Sequence, residues 1–306
     1  MEFRRLGDGV GYFAGATNCG LVWKGKEAVL IDSGLDESAG RKILRLLNGE
    51  GLRLVAILNT HFHADHVGGN AFLVARTGAR VLAPEAEAEF IRRPLLEPSS
   101  LYGMAAPPPA LRNKFLMAEP TPAVEGTGPA TWEDPLEAGL KLVELPGHSP
   151  GQVGLAGPEG VLFAGDLFLS SQVLDKHGIP YNADVARHLE SLERAAVWVA
   201  RGEYRLIVPG HGPACDPGDA LRTIEENRQR VTDLLFLITD MLAAPQPVAE
   251  LVHRLAHHYA RLLSTPGEYL LVQSAIHACL SYLADEGQVE LVVEDNRLLW
   301  RRRAAP

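Results

Sequence analysis

Between His61 and His66 the chain reads HFHADH, placing three imidazoles and a carboxylate within six residues. A strand-forming run, LRLVAILNT, leads into this cluster and a pair of glycines comes after it. Side chains two apart on an extended segment share a face, so His61 and His63 can converge on one ion. Asp65 and His66, just past the bend, can face a second ion beside it. Three more positions carry the same chemistry. His148 sits in LPGHSPG, Asp166 in VLFAGDLF and His211 in VPGHGP, each where a strand ends. A lone histidine after Pro-Gly is usually a loop residue, and a lone aspartate after glycine a turn or cap. Together with the first cluster they read as seven ligands, His61, His63, Asp65, His66, His148, Asp166 and His211, of a metal site at one sheet edge. Imidazole with carboxylate suits zinc, iron or manganese. Asp32, in LIDSG, reads from its surroundings as a turn residue.

The elements that must position these groups alternate. YFAGATNCGLVWKG and EAVLIDSGL are strand-like, DESAGRKILRLLNGEG is a helix capped by Asp36 or Ser38, and NAFLVARTGAR, VLAP and EAEAEFIRR continue helix, strand, helix. Residues 94–135 are dense in proline and glycine yet hold Tyr102, Met104, Phe115, Leu116 and Met117. A connection this long is a lid or pocket wall rather than plain linker. Strands return around His148 and Asp166, a helix comes next at ADVARHLESLERAAVWVARG, and YRLIVPGHGPAC delivers His211. After Asp216 come three helical stretches and a hairpin around EDN, which suggests a small, mostly helical, winged-helix-like unit. The expected division is a catalytic domain over 1–215 and a C-terminal domain over 216–306.

Composition excludes several classes. The chain has 306 residues, is 46% hydrophobic and carries a net charge of −9. It has no apolar run long enough for a membrane span and no apolar leader, so a cytoplasmic, membrane-free protein is expected. Three widely spaced cysteines, Cys19, Cys215 and Cys279, make neither a disulfide framework nor a CxxC site.

The order THFHADH, PGHS, GD, PGHG resembles the metallo-β-lactamase superfamily over about residues 8–215. The resemblance implies an αββα sandwich with a dinuclear site at one edge, an α/β fold. It implies His61, His63 and His148 around one ion, Asp65, His66 and His211 around the other, and Asp166 bridging them. It also makes Asp32 a brace for the ligand loop. The commonest zinc β-lactamases carry cysteine at the bridging position, so this chain is more similar to the hydrolase branches such as glyoxalase II, lactonases and nucleases. The activity implied is that of a metal-dependent hydrolase of an ester, thioester, lactone or phosphodiester. Two divalent ions, zinc before iron or manganese, would hold a hydroxide that attacks, with Asp65 orienting it and shuttling a proton. Metal-binding histidines must be neutral, so activity should fall in acid.

Two other enzymatic readings share these residues. Some superfamily members bind a single iron through the equivalents of His61, His148 and Asp166 and oxidise a persulfide. The tail from about Asp219, with ENRQRV and a final hairpin after LADEGQVELV, is similar to that of lactamase-like proteins related to a single-strand endoribonuclease. From Cys215 onward, however, nine Lys and Arg face thirteen Asp and Glu, a net of −4. A nucleic-acid surface is usually basic. A small-molecule substrate is therefore expected over nucleic acid, with the tail packing on the core, shaping the pocket or forming a homodimer. A non-enzymatic winged-helix binder with a degenerate core would have lost ligands, and this chain retains all seven.

Overall fold

The computed structural model describes residues 1–303. The last three positions of the expected C-terminal unit, 304–306, lie outside the described residues. The first sheet has seven strands in chain order: β1 (Glu2–Gly7), β2 (Val10–Ala14), β3 (Cys19–Lys24), β4 (Glu27–Ile31), β5 (Arg53–Leu58), β6 (Arg80–Pro84) and β7 (Val124–Thr127). It is antiparallel through β4 and parallel from β4 to β7. The parallel part needs crossovers, supplied by α1 (Glu37–Gly49), the short α2 (Ala64–Val67), α3 (Asn70–Thr77), α4 (Glu85–Arg92) and α5 (Leu96–Leu101). Asp36 caps α1, accepting from the amides of Ser38 and Ala39.

The second sheet holds β8 (Lys141–Glu144), β9 (Val153–Ala156), β10 (Val161–Gly165) and β11 (Leu206–Pro209), in the order β11-β10-β9-β8. Its β10 and β11 are parallel. Between them run α6 (Ser171–His177) and α7 (Val185–Ala200).

Strand alternation builds the layers. In β4, Val29 and Ile31 point to the other sheet while Ala28 and Leu30 point to helices; β5 sets Ala56 and Leu58 against Ile57 in the same way, and a register shift at Val55 returns Leu54 to the helix side. Leu155, Phe163 and Val208 meet them from the second sheet. Ile43, Leu47, Leu73 and Ile91 cover the outer face of the first sheet, and Leu192, Ala195 and Ile224 that of the second. The result is helix, sheet, sheet, helix, the αββα α/β sandwich the sequence led us to expect. No helix among the described residues is long and apolar enough to cross a membrane.

The tail consists of α8 (Pro217–Met241), α9 (Val248–His258), α10 (Pro266–Asp285) and the hairpin β12 (Val289–Glu294) with β13 (Arg297–Arg302). Asp295 and Asn296 form its two-residue turn with φ of 48° and 57°. The boundary drawn at 216 falls on the N-cap of a continuous helix. The first turns of α8 bury Ala220 and Ile224 against the sandwich, whereas Val231, Leu234 and Ile238 further along join the tail's own core. That core also takes in Ile179 and Val185, so tail and sandwich share packed surface.

The 94–135 segment also contains a strand of the first sheet. That strand, β7, is hidden among prolines and glycines but pairs in parallel with β6 and buries Val124.

Candidate metal centre

All seven predicted ligands meet at the C-terminal ends of four strands. The turn after β5 brings His61, His63, Asp65 and His66. Asp166 comes directly after β10, His211 lies two residues beyond β11, and His148 sits on the loop leaving β8. These strand ends lie at one edge of the sandwich, where rigid backbone can hold ligands from distant parts of the chain.

Three groups have ligand atoms within 4.8 Å of one another: His61, His63 and His148; His61, His66 and Asp166; and Asp65, His66 and His211. His63 Nδ1 lies 3.0 Å from both His61 Nε2 and His148 Nε2. Asp166 Oδ2 is 3.4 Å from His148 Nε2 and 3.3 Å from His211 Nε2, so one carboxylate spans both sides.

Hydrogen bonds behind the rings decide which nitrogen faces inward. His148 Nδ1 lies 3.0 Å from the Tyr181 carbonyl and His211 Nδ1 2.6 Å from the Ala16 carbonyl. Carbonyls only accept, so both Nδ1 atoms carry the proton and both Nε2 atoms present a lone pair. His66 Nδ1 donates to Asp32 Oδ2 at 2.8 Å. The Thr60 hydroxyl donates to the same carboxylate at 2.8 Å, which leaves its oxygen to accept from His61 Nδ1 at 3.0 Å. Four histidines are thereby fixed in one tautomer and aimed at one volume. Asp32, read from its surroundings as a turn residue, is a buried brace with φ of 58° that also accepts from the Thr60 amide.

Does this donor set fit divalent cations? His66 Nε2 and Asp166 Oδ1 are buried without hydrogen-bond partners and face each other at 3.3 Å. A lone pair opposite a carboxylate oxygen is stable only with a cation between them. Protons can answer part of that demand. Burial lowers the pKa of His66 and His211, but Asp166, Asp65 and, for His66, Asp32 outweigh it and raise both well above the usual histidine value. Burial and the neighbouring His148 hold His63 down at about 3, in the neutral form a metal needs. The residues fit a pair of divalent cations.

Sequence reasoning missed several supports. Glu87, fully buried on α4, accepts from the Phe62 amide at 3.2 Å, the Ser149 hydroxyl at 2.8 Å and the Gly151 amide at 2.6 Å. It ties the His61–His63 loop to the His148 loop. Gln152 Oε1 accepts from the Asp166 amide at 3.1 Å. Thr17 donates to Asp65 Oδ2 at 2.8 Å. None lies in a motif, and only the fold brings them near. Gly210 is the one signal that was present: a Cβ there would sit 2.0 Å from Asp166 Oδ1, so the glycine of VPGHGP clears space for the ligand.

The centre opens into a cavity of about 610 Å³. His63, Asp65, His148, Asp166 and His211 line one side, and Phe115 and Leu116 reach it from the insert. Tyr102, Met104 and Met117, expected there too, do not line it, and the first two are exposed. Residues of α6 and α10 complete the wall.

Residues 12–211 match the Metallo-beta-lactamase superfamily. The chain belongs to that superfamily. It is 29% identical over 213 residues to the Beta-lactamase-like protein 2 homolog of Drosophila melanogaster, covering 64% of this chain and 58% of that protein. It is 26% identical to the Hydroxyacylglutathione hydrolase GloC of Haemophilus influenzae, over 51% of this chain and 68% of the relative. A match at 21% identity to the Atrochrysone carboxyl ACP thioesterase of Passalora fulva spans 97% of this chain, tail included, and 79% of that protein. The chain thus spans a little over half the length of the Drosophila relative and more of the other two. Among solved structures, the metallo-beta-lactamase family protein TTHA1429 from Thermus thermophilus shares the fold, with a TM-score of 0.73, 24% identity and 94% of each chain covered. TTHA1623, solved in a di-iron-bound form, is 28% identical with a TM-score of 0.51, over 69% of this chain and 96% of its own.

Proposed function

We propose that this protein is a dinuclear metal-dependent hydrolase of small-molecule thioesters or esters. The observation that carries the reading is the set of four histidines whose Nδ1 atoms are held from behind while their Nε2 atoms converge on the two ends of Asp166. His61, His63 and His148 would hold one ion, Asp65, His66 and His211 the other, and Asp166 both. Bound there, the ions supply a water acidified to a pKa of about 7 and polarise the scissile carbonyl. Asp65 is kept ionised: burial opposes this, but His66 and His211 outweigh it. An ionised carboxylate at the cavity wall can orient the attacking water and relay its proton to the leaving group. Glu87, Asp32 and Gln152 hold the ligand loops so that this geometry exists before substrate arrives.

Thioesters are favoured by two relatives, one whose name makes it a hydroxyacylglutathione hydrolase and one a thioesterase. A small molecule is favoured over a polymer because insert and tail both wall the cavity and the tail is net acidic. Zinc is the proposed metal, although a related scaffold has been solved with two irons. The test is metal content per chain, then hydrolysis of thioesters, esters, lactones and single-stranded RNA. Two zinc ions with thioester turnover lost in Asp166→Ala support the reading. One iron with oxygen uptake on a persulfide would replace it with an oxidative one, and RNA cleavage lost in the same variant would replace the substrate class.

A further inference from the structure

The cavity wall away from the ligands has its own chemistry. It is built from three places: Phe115 and Leu116 of the insert, Val173 and Ile179 on and after α6, and Leu271 and Val272 of α10. The insert and α10 are packed together, since a Cβ at Gly267 would lie 3.1 Å from Leu116 Cδ1. Leu116, Ile179 and Val272 are buried.

Two of the charged groups on this wall are already engaged. The Glu268 carboxylate accepts from the Ser264 and Thr265 amides in the capping box of α10. Arg261 donates to the His177 carbonyl. Lys176 is an exposed cation beside them. A peptide-like or multiply charged substrate portion laid on this surface would lose its water and find few partners, whereas a hydrocarbon chain loses nothing.

We infer that this wall is an acyl slot, and that the substrate is a thioester or ester of a hydrophobic acyl group seated between the insert and α10. The inference rests on the hydrolase reading above and names its substrate class. The carbonyl then lies at the ligand end of the cavity, the acyl chain runs along Phe115, Leu116 and Leu271, and the thiol or alcohol leaves through the remaining opening.

The test keeps the thiol constant. Acetyl, butyryl and octanoyl thioesters of N-acetylcysteamine are assayed with the metal-loaded full chain. From acetyl to octanoyl, kcat/KM should rise about tenfold or more, and the ratio should collapse in Leu271→Glu. Phe115→Ser, at a side chain 66% exposed and so free of folding demands, should lower the same ratio. Calorimetry with the non-hydrolysable amide analogues of the octanoyl and acetyl compounds reads the slot without turnover. Hydrolysis with no chain-length dependence, and amides that bind alike, would overturn the slot and leave the hydrolase reading intact. Tighter binding of the octanoyl amide, lost in Leu271→Glu, with no thioester or ester turned over, would sustain the slot and overturn the hydrolase reading.

Discussion

The two ends of the cavity are built on opposite principles. At the ligand end four rings are held from behind: Asp32 holds His66, Thr60 holds His61, backbone carbonyls hold His148 and His211, and Glu87 clamps two loops. At the far end the wall is mostly apolar, partly exposed and contributed by the insert, α6 and the helical tail. Hydrogen bonds fix direction, and a metal centre tolerates little misdirection. Apolar contact fixes volume only, and volume can change without disturbing the chemistry. On the proposed reading, reaction type and substrate preference reside in separable parts of one pocket.

The largest expected effect tests the ligand end. Asp166→Ala removes the carboxylate that spans both sides, so metal per chain should fall and kcat/KM should drop about 10³-fold; metal analysis and a hydrolysis assay check this together. Full metal retention would show that Asp166 joins nothing. Next is the tail. Leu280 is fully buried in the tail core, and Leu280→Ala should cost about 3 kcal/mol. The comparison predicts a raised KM and an earlier unfolding transition with metal content unchanged. Loss of metal in that variant would show that the two ends are one cooperative unit. Asp32→Asn keeps the shape but weakens the brace on His66 and Thr60. Metal affinity should fall about 10- to 100-fold, read by competition with a chromophoric chelator, while the chain-length preference stays.

The smallest effect concerns acid. Burial, then His148, lowers the pKa of His188 to about 3 in the folded chain, against an ordinary value of 6.5. The unfolded chain takes up the proton first, so the stabilisation is present above pH 6.5 and is lost as pH falls toward 3. Between pH 7.5 and 5.5 the loss from this residue is about 1 kcal/mol. The urea-derived unfolding free energy of the wild type should fall by that amount relative to His188→Leu between the two pH values.

Much of the site was legible because its residues carry their chemistry in short motifs. HFHADH needs only an extended step and a bend to present its ligands, and Pro-Gly before His148 and His211 marks a turn whatever surrounds it. Asp32 was ambiguous, since LIDSG reads equally as a turn, and its bond to His66 joins residues 34 apart. Glu87 and Gln152 were invisible for the same reason: Glu87 reaches Gly151 across 64 positions. Short elements escaped too. The four residues of α2 and the seven of α6 are too brief to show a period, and VEGT of β7 has no strand pattern apart from its neighbour β6.

The sequence by itself determined the ligand types, the strands that carry them and the alternation that builds two sheets, because these depend on residues near one another along the chain. The tertiary structure decided which ring nitrogen faces inward, which buried carboxylates brace the loops, and that the insert and α10 meet across the cavity from the metal centre. Those outcomes depend on groups brought together only by the collapse of apolar faces, and no local pattern encodes their distances.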